Sequence, residues 1–96
     1  MFLDMYLNIT YLNLLYDKYD YYYITGLNEE RFIRIYNLFK KYKFYFIEDI
    51  IINYLEIFEL EEDEVENKIF DLKRKLGESF VHKIGKDLTY LEDILN

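Results

Sequence analysis

Apolar side chains recur at intervals of three and four along most of this chain, the spacing of helices that turn one face inward. The pattern is clearest at 62–76, where Val65, Ile69, Leu72 and Leu76 share one side. Acids fill the first turn there, and Lys73, Arg74 and Lys75 fill the last. That order opposes the partial charges at the two ends of a helix and stabilises it. Gly77 follows, where a helix commonly stops in a left-handed residue. A second helix is expected from Asn28, a good N-cap, to Tyr42, with Phe32, Ile35, Phe39 and Tyr42 as its stripe. A third helical segment runs from Phe44 to Phe58 through Ile47, Ile50, Ile51, Tyr54, Leu55 and Phe58, although Ile and Tyr also suit strands. A short helix is expected at Ser79–Ile84, broken by Gly85. A last one starts near Asp87 or Thr89, where Thr89-Tyr90-Leu91-Glu92 has the form of a capping box.

The N-terminal segment is harder to orient. Met5, Ile9, Leu12, Tyr16 and Tyr19 step by four and three, while Leu7, Tyr11, Leu14 and Leu15 occupy the other side. One helix from Phe2 to Tyr19 would then be apolar nearly all round. Such a helix belongs in the core or under a second chain, so a homodimer through residues 2–19 stands as an alternative to burial. Tyr19–Thr25 is β-prone and reads as a short strand or an extended turn. The expected fold is mainly α: one domain, 1–96, of about five short helices in a compact bundle or a two-unit helical repeat.

The repeat shows when the chain is offset by 34 residues. Ile35 then meets Ile69, Leu38 meets Leu72, Tyr42 meets Leu76, Phe46 meets Phe80 and Ile50 meets Ile84. The register continues through Ile57 with Leu91 and Leu60 with Ile94. A period of this length suits a stack in which each helical unit buries its face on the next. Leu60, Glu62, Leu72, Lys73, Gly77, Ile94 and Leu95, and less completely Leu27, Glu29, Glu30 and Leu60, follow, to within a residue of spacing, a Leu-x-x-Glu-Glu, Leu-Lys-x-x-Gly, Ile-Leu outline. This outline resembles the helical repeats of mitochondrial transcription-termination-factor proteins. The resemblance spans residues 27–95 and implies stacked helical hairpins. Members of that family bind nucleic acid along a basic groove, and this chain lacks the Lys and Arg excess that such a groove needs. It also has no proline at its helix starts and only two units.

Composition and charge narrow the function further. Phe, Tyr, Met, Ile, Asn and Lys make up 50 of the 96 residues and Gly, Ala, Arg and Pro only 6, the signature of an AT-rich genome such as that of a low-GC bacterium or its phages and plasmids. Part of the tyrosine excess then follows from coding, although Tyr is also a good interface residue. The net charge is −7 and uneven: residues 1–47 carry six basic and five acidic side chains, residues 48–96 six and fourteen. An acidic half repels a phosphate backbone and favours a basic protein surface. There is no cysteine, which fits a cytoplasmic location. No secretory signal and no membrane span are expected.

The candidate chemistry is correspondingly sparse. His82 stands near Ser79, but two groups on one helical turn do not make a triad, and a solvated helix residue is the expectation. The acidic run lacks the turn glycine of a calcium loop, so no metal and no cofactor is expected. Two surfaces remain. Glu56, Glu59, Glu61, Glu62, Asp63, Glu64 and Glu66 form a candidate partner-binding ridge. Arg31, Arg34, Lys40, Lys41, Lys43 and Tyr45 form a basic-aromatic patch that is the alternative nucleic-acid site, because rings beside cations can stack bases. That patch could also meet the ridge of a second copy.

Small size, acidity, AT-rich coding and the lack of a catalytic set together resemble phage or mobile-element inhibitors. Some of these block a host nucleic-acid enzyme, CRISPR effectors included, by occupying its phosphate-binding groove. The expected function is a non-enzymatic acidic protein-binding module of that kind. The alternative is a small nucleic-acid binder using 31–45.

Overall fold

The computed structural model describes residues 1–96. It contains seven α-helices: α1 (Ile9–Lys18), α2 (Tyr21–Thr25), α3 (Glu29–Lys41), α4 (Ile47–Asn53), α5 (Glu62–Leu76), α6 (Phe80–Lys86) and α7 (Glu92–Leu95). Three 3-10 turns, Phe2–Met5, Leu55–Glu59 and Leu88–Leu91, complete it, and there is no strand. The mainly α expectation holds. The number of helices exceeds five because the segments read as continuous are interrupted.

The 34-residue offset survives element by element. α3, α4 and the Leu55–Glu59 turn are followed by α5, α6 and the Leu88–Leu91 turn in the same order. Ile35 and Ile69, Leu38 and Leu72, Phe46 and Phe80, Ile50 and Ile84, and Ile57 and Leu91 are buried in both units. The only two residues with positive φ, Lys43 at 65° and Gly77 at 88°, also lie 34 apart, each just after the long helix of its unit. All 25 buried side chains are apolar and form one cluster.

The end of α3 explains why Lys43 tolerates this backbone. The Phe44 N–H donates to the Phe39 carbonyl at 3.0 Å and the Lys43 N–H to the Lys40 carbonyl at 2.9 Å. These are the two bonds of a Schellman cap, and the Phe39 and Phe44 rings meet edge-on at 5.0 Å to supply its apolar contact. The cap holds a side-chain-bearing residue where glycine is favoured. Lys43→Gly is therefore expected to raise stability by about 1 kcal/mol. Gly77 has ψ −167°, a region open almost only to glycine, so Gly77→Ala is expected to cost about 1–3 kcal/mol although no atom lies near its missing Cβ. Chemical denaturation of both variants checks the pair, and opposite signs are the expected result.

Local capping overturns three expectations. Residues 19–25 are neither strand nor extended turn: Asp20 accepts from the Tyr22 and Tyr23 N–H groups and starts α2 at Tyr21. Capping of this kind outweighs the β preference of three tyrosines. Segment 2–19 is not one helix either. Asn8 accepts from the Tyr11 N–H at 3.0 Å and begins α1 at Ile9, leaving Phe2–Met5 as a separate turn. The break shifts the phase of the stripe. Leu3, Leu7, Leu12 and Leu15 go inward, while Met5 is 81 % and Ile9 70 % exposed. At the C-terminus the Thr89 capping box does not form. Asp87 caps the Leu88–Leu91 turn, and Thr89 donates to Asp87 instead.

The segment from Phe44 to Phe58 is also divided. Asn53 Nδ2 donates to the Asp49 carbonyl at 2.8 Å and closes α4, and Tyr54 leaves helical geometry before the 3-10 turn begins. Ile47, Ile50, Ile51, Leu55 and Phe58 are nevertheless buried, as their spacing requires. α1 packs on α4, and α3 packs on both the Leu55–Glu59 turn and α5.

Candidate protein-binding surface

α3 and α5 run in the same direction. At their starts Arg31 reaches Glu61 at 2.8 Å, and just beyond their ends the Phe44 and Phe80 rings meet at 6.0 Å. Both acid-rich first turns therefore lie at one end of the stack, Glu29 and Glu30 on α3 and Glu62, Asp63 and Glu64 on α5. A shallow cleft of about 150 Å³ separates them, lined by Arg31, Arg34, Ile35, Leu60, Glu61, Glu62 and Asp63. The last turns carry cations instead, Lys40 and Lys41 on α3 and Lys73, Arg74 and Lys75 on α5, and Lys41 reaches Glu66 of α5 at 3.1 Å.

The seven ridge acids fall into two groups. Glu62, Asp63 and Glu64 are exposed and make no ion pair or side-chain hydrogen bond within the chain. Glu61 is exposed but bridged to Arg31, whose other amino group donates to the Glu59 carbonyl at 2.8 Å. The remaining acids work internally. Tyr23 donates to Glu59. Glu66 accepts from Tyr42 at 2.6 Å and from Lys41 at 3.1 Å, and these bonds hold its carboxyl below the ordinary carboxylate range. Glu56 is half-buried beside Tyr19.

The basic-aromatic patch is divided in the same way. Arg31 and Arg34 lie at the acidic end, Arg34 within 3.7 Å of Glu30. Lys40, Lys41 and Lys43 lie at the other end of α3, with Lys40 over the Tyr36 ring and Lys41 over the Tyr42 ring. Tyr45 is exposed and packs edge-on against Phe46 at 4.9 Å. Ser79 and His82 are both exposed around the start of α6 and do not bond to each other. No three His, Asp or Glu side chains converge as a metal ion would require. No helix is long and apolar enough to cross a membrane.

Sequence reasoning missed the tyrosine–carboxylate bonds. Tyr11 donates to Asp49, Tyr42 to Glu66 and Tyr54 to Glu92, in addition to Tyr23 and Glu59. Each joins residues at least 24 positions apart, so no local pattern announces them. Tyr19 instead accepts from the Leu55 N–H at 3.2 Å. Burial, reinforced by the carboxylates, pushes the Tyr19 and Tyr42 hydroxyls up to about 12 and raises Tyr23 as well.

These shifts fix the sign of the pH dependence. Below about pH 10 the tyrosines are protonated in both folded and unfolded chains, and their contribution is complete. Between pH 10 and about 12 the unfolded chain loses tyrosine protons that the folded chain keeps, so stability falls. Glu66 acts at the other extreme. Its contribution is present above the ordinary carboxylate pKa and is lost as the pH drops through its lowered folded value. Thermal melts across the pH range are expected to show both losses, and Tyr42→Phe should make each smaller while Tyr19, Tyr23 and Lys41 keep the remainder.

No protein-family model matches this chain, and no curated protein or solved structure matches it at a significant level.

Proposed function

We propose that the chain is a non-enzymatic, acidic protein-binding module that docks the end bearing Glu61, Glu62, Asp63 and Glu64 on a basic surface. The partner is a nucleic-acid-processing enzyme, and the mode of action is that of a phage or mobile-element inhibitor of the anti-CRISPR type, working in the cytoplasm. The observation that carries this reading is the parallel stacking of α3 and α5. It brings two acidic first turns to one end and leaves Glu62, Asp63 and Glu64 exposed and outside every ion pair, with Arg34 of the same cleft turned to Glu30. Unpaired carboxylates at the rim of an interface steer a basic partner and make its capture sensitive to salt. Of the other ridge acids, Glu66 holds Tyr42 and Lys41 and so ties the two units together, and Glu59 holds Tyr23.

The test is an affinity pull-down of tagged protein from low-GC bacterial lysate, with nuclease, at low and moderate salt. A basic nucleic-acid enzyme that elutes with salt is the expected result. Nucleic acid recovered only when nuclease is omitted would move the function to the patch at 31–45.

A further inference from the structure

Three tyrosines stand apart from those that tie the fold together. Tyr16, Tyr21 and Tyr22 are 40 %, 58 % and 80 % exposed. The Tyr16 and Tyr21 rings stack at 6.1 Å, and Tyr21 meets Tyr22 edge-on at 5.7 Å, so the three form one cluster. Their hydroxyls reach no carboxylate; Tyr16 touches only the Met1 sulfur, at 3.9 Å. Exposed aromatic groups of this kind are enriched where partners anchor.

The surroundings of the cluster are anionic. Asp20 caps the turn that carries Tyr21 and Tyr22. Tyr23, on the same turn, is bonded to Glu59 and stacks on Tyr19 at 5.8 Å, beside Glu56. Asp17 is exposed and unpaired. Of the cations on adjoining segments, the Met1 ammonium pairs with Asp4 at 3.4 Å and Arg31 with Glu61 at 2.8 Å, while Lys18 donates to the neutral Asn53 amide at 2.8 Å and keeps its charge. The Tyr23–Glu59 bond joins this turn directly to the acidic ridge.

We propose that Tyr16, Tyr21 and Tyr22 form the aromatic part of the docking surface and that its occupant is an arginine-rich segment of a protein partner. A guanidinium can lie flat on a tyrosine ring while its N–H fork engages a neighbouring carboxylate. A lysine ammonium satisfies the carboxylate but gains less from the ring. Single-stranded nucleic acid could stack on the same rings, but its phosphates meet Asp17, Asp20, Glu56 and Glu59. This inference rests on the acidic-surface reading and adds the side chain that the surface selects.

Fluorescence anisotropy with labelled nona-arginine and nona-lysine peptides tests it on the whole chain at moderate salt. The wild-type protein is expected to bind the arginine peptide about tenfold more tightly. Y21A/Y22A should remove that preference by weakening the arginine peptide far more than the lysine peptide, while Y21F/Y22F should retain it. Circular dichroism is expected to be the same for all, because the replaced rings are exposed. Equal wild-type affinity for the two peptides, or equal loss of both in Y21A/Y22A, overturns the inference and leaves the acidic surface standing. Failure of both peptides to bind overturns the acidic-surface reading and this inference with it. A wild-type dimer in light scattering that Y21A/Y22A converts to monomer overturns it too, by placing a second copy on these rings.

Discussion

Phe32→Ala is expected to lower stability by about 3–5 kcal/mol, the largest effect of any single substitution considered for this chain. Phe32 is fully buried and sits at the junction of three segments. Its ring lies 4.8 Å from Phe58, 5.3 Å from both Phe2 and Tyr6, and 6.3 Å from Tyr36. Truncation removes the buried area of a large ring and leaves a cavity that the rigid neighbours fill only in part. A domain of this size has about 5–15 kcal/mol to lose. The melting temperature should fall by more than about 10 °C. Phe70→Ala is the control, because Phe70 is exposed on α5 and meets only the edge of Tyr42. Thermal unfolding followed by circular dichroism separates the two. A loss below about 1 kcal/mol for Phe32→Ala would mean that the aromatic junction does not hold the N-terminal turn to α3.

Reversal of Glu62, Asp63 and Glu64 to Lys is expected to weaken partner binding by at least about 100-fold. All three are exposed and lack internal partners, so the change falls on the surface field and not on the core. It also places cations in the first turn of α5, which costs a few tenths to about 1 kcal/mol per residue. Neutral glutamines at 62 and 64 with asparagine at 63 provide the comparison, since they weaken the field with less strain on the helix. Binding should fall in the order wild type, neutral, reversed, and the differences should shrink as salt rises. Reversal of Glu66 is a less useful probe. It would break the bonds from Tyr42 and Lys41 and confound binding with stability.

The helices with strong periodicity and matched end charges, α3 and α5, were legible to within a residue, and so was the 34-residue repeat. Their apolar stripes continue over several turns, and a single burial face satisfies all of them at once. The N-terminal third was not legible in the same way. Apolar residues on every side of 2–19 allow several phases, and the choice between them is made by Asn8 and Asp20, two short side chains that bond to nearby backbone N–H groups. The candidate surface was half legible. Composition located the acids, but the division between free and engaged carboxylates depends on tyrosines and cations brought from distant positions. The cluster of Tyr16, Tyr21 and Tyr22 emerges only once α2 is seen to be a helical turn and not a strand.

We propose that the acidic end formed by α3 and α5 captures a basic nucleic-acid enzyme. The most direct measurement is a parallel pull-down with the wild-type and Glu62, Asp63, Glu64 reversed chains, from the same nuclease-treated lysate, with both proteins first shown to be folded. A basic enzyme on the wild-type chain, released by salt and absent from the reversed chain, is the expected result. The same enzyme retained equally by both chains, or nothing captured by the wild-type chain except itself, would contradict it.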